Sequence, residues 1–237
     1  MVLGASQGMG LAIAQALAAE GAKVTMFARR AEVLAREAAA IGALAVAGDL
    51  TRPADLERLV EEAAAANGGV DVLVLNGGGP PAGPATGLTA EQVLDAVQLL
   101  LVPHVRLLES CLPHLRRSGR GRIVAIESVS VREPIANLAL SNAVRPGVAG
   151  WLKSLAHELG ADGITVNTIA PGRIDTDRLR SLYGADGPPA AMLETIATRR
   201  LGTAAEVAAV ACFLASAQAG YVTGSIVTVD GGLTRGL

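Results

Sequence analysis

The chain has 237 residues, of which 51% are hydrophobic and 18% charged, with a formal net charge of −2. That length suits one large α/β domain, and the near-balanced charge gives no reason to expect nucleic acid or an anionic membrane as a partner. Two cysteines, Cys111 and Cys212, lie in helix-like apolar stretches and fit a reduced, cytoplasmic setting; no leader-like segment, membrane-length apolar run or metal site is expected.

The predicted elements alternate from the start. A short apolar run, 1–3, leads into the turn Gly4-Ala5-Ser6-Gln7-Gly8-Met9-Gly10 and an amphipathic helix over 8–20. Glycines at a strand-to-helix turn let backbone N–H groups approach a phosphate, and the positive end of the helix dipole then faces the negative charge. A strand at 23–27 is followed by a helix at 31–41, a strand at 43–47 and a helix at 53–66. Then come a strand at 70–75, one long helix at 90–117, a strand at 122–128 and a helix at 143–159. Strands at 165–170 and 226–229 flank a helix at 204–216. The runs at 70–75 and 122–126 are nearly all apolar, as in strands covered on both faces. Thr89 with Gln92, and Thr203 with Glu206, have the spacing of capping boxes. Repeated β-α-β units of this kind predict an α/β fold. It is a single doubly wound, Rossmann-like domain over 1–237, with a mostly parallel seven-stranded sheet flanked by helices on both faces. Ligands in such folds bind beyond the carboxyl ends of the strands. Gly4–Gly10, Asp49, Asn76, Ser128 and Pro171-Gly172 all fall just after predicted strands, so one rim collects them.

The end of the second strand reads Phe27-Ala28-Arg29-Arg30. An acid there would take ribose hydroxyls and select NAD; two guanidiniums suit a 2′-phosphate instead. NADP(H) is therefore expected over NAD(H), although Gln7 stands where a basic residue would strengthen that expectation.

These segments resemble the short-chain dehydrogenase/reductase family over essentially the whole chain. The resemblance is carried by Gly4-Ala5-Ser6-Gln7-Gly8-Met9-Gly10, Gly48-Asp49-Leu50, Asn76-Gly77-Gly78-Gly79, the run 122–128, Lys153-Ser154-Leu155-Ala156, Pro171-Gly172-Arg173-Ile174-Asp175-Thr176 and Val229-Asp230-Gly231-Gly232. Within the family, the stretch 133–142 is similar to a subgroup related to 3-oxoacyl-[acyl-carrier-protein] reductases. The resemblance implies that Gly4, Ser6, Gln7, Gly8, Met9 and Gly10 cradle a pyrophosphate. Asp49 and Leu50 would border the adenine, and Asn76, Gly77 and Gly78 the adenosine ribose. Pro171, Gly172, Ile174 and Thr176 would border the nicotinamide. It also implies a carbonyl, alcohol or acyl thioester substrate, a lid over 173–201 and assembly as a homodimer or homotetramer.

The family places an Asn, a Ser, a Tyr and a Lys around the reacting carbonyl. Counting from the matching segments, these positions fall on Leu100, Ser128, Ser141 and Arg145, so only the serine is retained. A phenol beside an ammonium can be tuned toward operating pH; a serine hydroxyl can donate a hydrogen bond but is a poor acid. Arg145 keeps a positive charge and can bind ribose hydroxyls, but it stays protonated and relays nothing. With the helix starting near 143, Pro146 sits in its first turn and Ser141 in a loop. Lys153 is too far along that helix from Arg145 to substitute, roughly 12 Å. Glu127 alternates to the other face of its strand and is set aside. Ser128 is either a donor to substrate or a strand-end cap. His104 is a solvated or core-edge histidine, or faces the site one turn from Leu100. Tyr183 in the lid either donates a proton or packs. Three functions remain open: an NADP(H)-dependent reductase, a dinucleotide-binding protein without dehydrogenase activity, and a non-redox lyase reusing the pocket.

Overall fold

The computed structural model describes residues 1–177, 179–180 and 189–236. Seven parallel strands form one sheet in the order β3-β2-β1-β4-β5-β6-β7. They are β1 (Val2–Leu3), β2 (Thr25–Ala28), β3 (Leu44–Ala47), β4 (Val72–Leu75), β5 (Arg122–Ile126), β6 (Thr165–Pro171) and β7 (Ile226–Val229). Strand order reverses between β1 and β4, which splits the carboxyl rim there and opens a crevice.

Residues along each strand alternate between two cores. Leu73 and Leu75 of β4 point into one core with Leu3, Phe27 and Ile123, whereas Val74 joins the other with Val2, Met26 and Val124. The second core is closed by α1 (Gly8–Ala19) and α2 (Ala31–Ala40), together with α8 (Ala204–Ala215). The first is closed by α3 (Pro53–Asn67), α4 (Ala90–Leu100), α5 (Val102–Ser118) and α6 (Ala139–Leu159). A short helix, α7 (Ala190–Glu194), precedes α8. Both expected capping boxes form, Thr89 with Gln92 on α4 and Thr203 with Glu206 on α8.

Two helix expectations fail for physical reasons. The single helix expected over 90–117 is two, broken at Leu101, because Pro103 has no N–H for the Leu99 carbonyl and its ring crowds that turn. The helix expected from 143 begins at Ala139 instead, so Pro146 lies in its interior and Ser141 in its first turn. An interior proline costs about 3 kcal/mol. Against it, α6 buries Leu140, Val144, Val148, Leu152 and Leu159 on one face, each contributing about 1.5–3 kcal/mol. The start of α6 is also clasped from outside. Asn142 accepts from the Ile135 N–H at 3.0 Å and donates to the Ile135 carbonyl at 2.8 Å. Gly83, in the loop after β4, receives the Ala139 N–H at 3.2 Å and donates to the Asn137 carbonyl at 2.8 Å. These bonds tie the β4 loop to α6 and fix where Ser141 stands.

Candidate active site

The glycine turn is built by close backbone approach. Gly4 and Gly8 have φ of +59° and +57°, a region L side chains rarely adopt. A Cβ on Gly10 would stand 2.3 Å from the Gly4 carbonyl oxygen. Asn76, after β4, donates to the Leu3 carbonyl at 3.0 Å and so knits the turn to the neighbouring strand. No side chain caps α1 at Gln7, leaving its first N–H groups available to an anion. A dinucleotide phosphate fits this cradle. Ser6 is buried under it.

The neighbouring strand ends carry the rest of the expected adenosine side. Gln7 accepts a hydrogen bond from Arg30, so the loop and the end of β2 are joined at their tips. Asp49, after β3, accepts from the Thr51 N–H at 2.9 Å and hydroxyl at 2.8 Å. Those bonds, the Thr51 N–H first, hold its carboxyl below the usual range, with a smaller contribution from Arg29. Leu50 lies beside Gly77.

A crevice of about 370 Å³ opens at the switch point. Met9, Asn76 and Gly77 line one part of it, and Pro171, Gly172, Ile174 and Thr176 another. Ser128, Ser141 and Arg145 complete the wall. The expected nicotinamide and catalytic groups thus share one cavity with Met9 of the glycine turn, while Gly4, Ser6, Gln7, Gly8, Gly10, Arg29, Arg30, Asp49 and Leu50 lie outside its lining. Gly78 enters through its carbonyl, which Arg145 Nη2 approaches at 3.5 Å.

The polar end of the crevice is a chain of contacts. Ser128 Oγ accepts from the Ser130 N–H at 3.1 Å, capping a 3-10 turn over Val129–Val131 while its hydroxyl fronts the cavity. The capping reading of Ser128 is thus observed, and its place on the cavity wall leaves its hydroxyl available to a substrate. Ser130 Oγ and Ser141 Oγ are 3.3 Å apart, and Arg145 Nε donates to Ser141 Oγ at 3.1 Å. Arg145 Nη1 donates to Glu127 Oε2 at 2.8 Å, inside the protein. Glu127 is thus not on the other side. β5 ends at Ile126, the alternation stops with it, and the chain turns so that Glu127 and Ser128 both line the crevice. Burial pushes the Glu127 carboxyl up, with Arg145 opposing that shift.

Leu100 packs in the core. His104 is buried as well and so is not solvated. Burial, and then the Arg145 charge, lower its pKa to about 4, and its Nδ1 has no partner. Lys153 donates to the Gly224 carbonyl at 2.9 Å, away from the crevice. Tyr221 is fully exposed, and Tyr183 lies outside the described residues. Cys111 and Cys212 are both free thiols, the first buried and the second half-buried. Among the described residues no group of three or more His, Cys, Asp or Glu could hold a metal, and no helix is long and apolar enough to cross a membrane.

Sequence reasoning missed Ser130 and misplaced Glu127. The signal for Ser130 was its spacing two residues beyond Ser128, the interval at which a serine side chain caps the following turn.

A seven-stranded parallel sheet with a glycine turn at its switch point, and serine hydroxyls across the same crevice, defines a class of dinucleotide-dependent oxidoreductases. The chain belongs to the short-chain dehydrogenase/reductase family: a family profile described as enoyl-(acyl carrier protein) reductase matches residues 4–234. The chain is 36% identical over 236 residues to the 3-oxoacyl-[acyl-carrier-protein] reductase MabA of Mycobacterium avium, covering 100% of this chain and 89% of that protein. It is 36% identical to the 3-oxoacyl-[acyl-carrier-protein] reductase FabG of Escherichia coli, covering 98% of this chain and 96% of that one. Among solved structures, it is similar to an NADPH-bound short chain oxidoreductase from Pseudomonas aeruginosa described as containing an atypical catalytic center. That match has a TM-score of 0.93 and 29% identity, and covers 100% of this chain and 96% of the other.

Proposed function

We propose that the protein is an NADP(H)-dependent reductase that converts a carbonyl to an alcohol by hydride transfer, with 3-oxoacyl thioesters the first substrate class to try. The observation that carries this reading is the crevice itself, where Met9 of the glycine turn, Pro171, Gly172 and Thr176, and the hydroxyls of Ser128 and Ser141 line one cavity. The similarity to two 3-oxoacyl-[acyl-carrier-protein] reductases supports the substrate class. The guanidiniums of Arg29 and Arg30 beyond β2, with no carboxylate at that strand end, support NADP(H), as does the similarity to an NADPH-bound structure.

The nicotinamide, when bound, supplies the hydride. The chain's own work is to hold the carbonyl and stabilise charge on its oxygen. Ser128 Oγ and Ser141 Oγ each accept a bond from an N–H, from Ser130 and Arg145 respectively. Ser128 thereby keeps its proton for the substrate oxygen, and Ser141 shares its own between Ser130 and the substrate. Preorganised donors of this kind are worth about 10²–10³-fold each. Water supplies the proton, because neither serine is acidic enough and Arg145 does not release one. The lost general acid costs about 10²–10⁴-fold, so the reductase is slow relative to one with a phenol. The lid expected over 173–201 includes residue 178 and residues 181–188, which lie outside the described residues, and the protein works as a homo-oligomer.

The test is direct. NADPH and NADH are titrated by thermal shift, and NADPH oxidation is then followed with β-keto thioesters and small ketones. Binding with no turnover on any carbonyl would favour the second reading, a dinucleotide-binding protein without dehydrogenase activity. The observation behind that reading is the buried Arg145–Glu127 pair next to a serine where a phenol would stand. Ser141→Tyr combined with Arg145→Lys is expected to raise reduction by up to about 10²-fold. A flat rate would mean that Ser141 is not at the reacting oxygen.

A further inference from the structure

We propose that Glu127 is the positioning residue of this site: its carboxylate fixes the Arg145 guanidinium so that Nε donates to Ser141 Oγ, freeing the Ser141 proton for the substrate oxygen. The proposal rests on the reductase reading and deepens it.

Three contacts define the guanidinium. Nη1 meets Glu127 at 2.8 Å, Nε meets Ser141 at 3.1 Å, and Nη2 approaches the Gly78 carbonyl at 3.5 Å. A guanidinium is a rigid planar fork, so anchoring one nitrogen sets the direction of the others. The shortest of the three is the bond to Glu127. The side chains of Glu127 and Arg145 are 1% and 10% exposed, so little water competes for either. The two residues also belong to different elements, one just beyond β5 and one on α6, so the pair locks the helix rotation that carries Ser141.

The direction of donation gives the arrangement its consequence. Arg145 has donors only, so Ser141 Oγ must accept from it. The single Ser141 proton then points to Ser130 or to the substrate. A guanidinium on the oxygen also polarises the O–H, the service that an ammonium performs for a phenol elsewhere in the family. Arg145 on α6 faces Glu127 directly, and its charge reaches the buried His104 on α5, which it helps to keep neutral. Arg173, after β6, is the remaining charged residue among those that line the crevice. Burial favours the neutral form of Glu127, so falling pH weakens its hold on Arg145.

The test joins a spectroscopic and a kinetic arm. In nitrogen-edited NMR of the whole protein, the Arg145 Nε–H should be protected from exchange, and Glu127→Gln should remove that protection while NADPH affinity changes less than about twofold. In kinetics, Glu127→Gln should lower kcat about 10–100-fold with KM nearly unchanged, a part of what an oxyanion donor is worth. It should also abolish the fall of kcat at acid pH, and Glu127→Asp should restore part of the rate. In a Ser141→Ala background the same change should cost less than about twofold more, because its route of action is gone. Equal losses in both backgrounds, or an unchanged Arg145 signal, would overturn the proposal. Should Glu127→Gln not fold, the unmodified protein decides: protection of the Arg145 Nε–H must fall as pH drops, and constancy across the folded range overturns the proposal. A protein that binds no NADPH defeats the reductase reading. NADPH binding with additive kinetics defeats the role of Glu127 alone.

Discussion

The two ends of the crevice are made of different material. The phosphate end is backbone: Gly4, Gly8 and Gly10 bring main chain within touching distance, and Asn76 ties the turn to β4. The opposite end is side chain: Glu127, Arg145, Ser141, Ser130 and Ser128, from two elements, linked in sequence. The backbone end keeps the family pattern, whereas the side-chain end departs from it at Ser141 and Arg145. Geometry set by absent Cβ atoms leaves almost no alternative residue, so little can vary there. A network of side chains can be rebuilt in a coordinated way, provided that every buried charge and hydroxyl finds a partner.

Substitutions can break that contrast. The largest effect is expected from Arg145→Ala, which strands the Glu127 carboxyl and should cost about 3–5 kcal/mol, with a fall in the thermal midpoint of about 10 °C. The sign with pH is fixed by burial, which already raises this carboxyl; without Arg145 the folded pKa rises further. Stability of the variant is then full below the unfolded carboxyl pKa and is lost as pH rises through the folded value. Denaturation at acid and alkaline pH checks this, and NADPH titration checks the weakened cofactor binding that should accompany it.

Next comes His104, whose folded pKa is lowered from 6.5 to about 4 by burial and then by Arg145. Its contribution is present above pH 6.5 and lost as pH falls through about 4, amounting to about 3 kcal/mol in the lower part of that window. His104→Leu should remove this acid sensitivity, which urea denaturation at a series of pH values would read. At the backbone end, Gly10→Ala forces a Cβ to within 2.3 Å of the Gly4 carbonyl oxygen. A loss of about 1–3 kcal/mol is expected, together with weakened NADPH binding. The smallest effect is that of Arg30→Ala, which should weaken NADPH about tenfold and leave NADH unchanged, the exposed site keeping the loss modest. Equal losses for both nucleotides would sharpen the contrast differently, by removing Arg30 from the 2′-phosphate.

The amino-acid sequence by itself determined the parallel sheet, both capping boxes and the phosphate turn. Each depends on residues close in the chain: glycines at a fixed spacing, Thr89 with Gln92, Thr203 with Glu206, apolar runs at strand length. It also exposed the altered positions Ser141 and Arg145. What it left undetermined depends on distant residues. Pro146 stays inside a helix because the buried face of α6 outweighs its penalty, and α6 starts early because Asn142 and Gly83 clasp it from outside. Glu127 lines the crevice because β5 ends one residue before it, which strand alternation does not reveal. The partnership of Glu127, Arg145 and Ser141 was decided by tertiary structure alone, since a buried charge takes the partner that packing brings within reach.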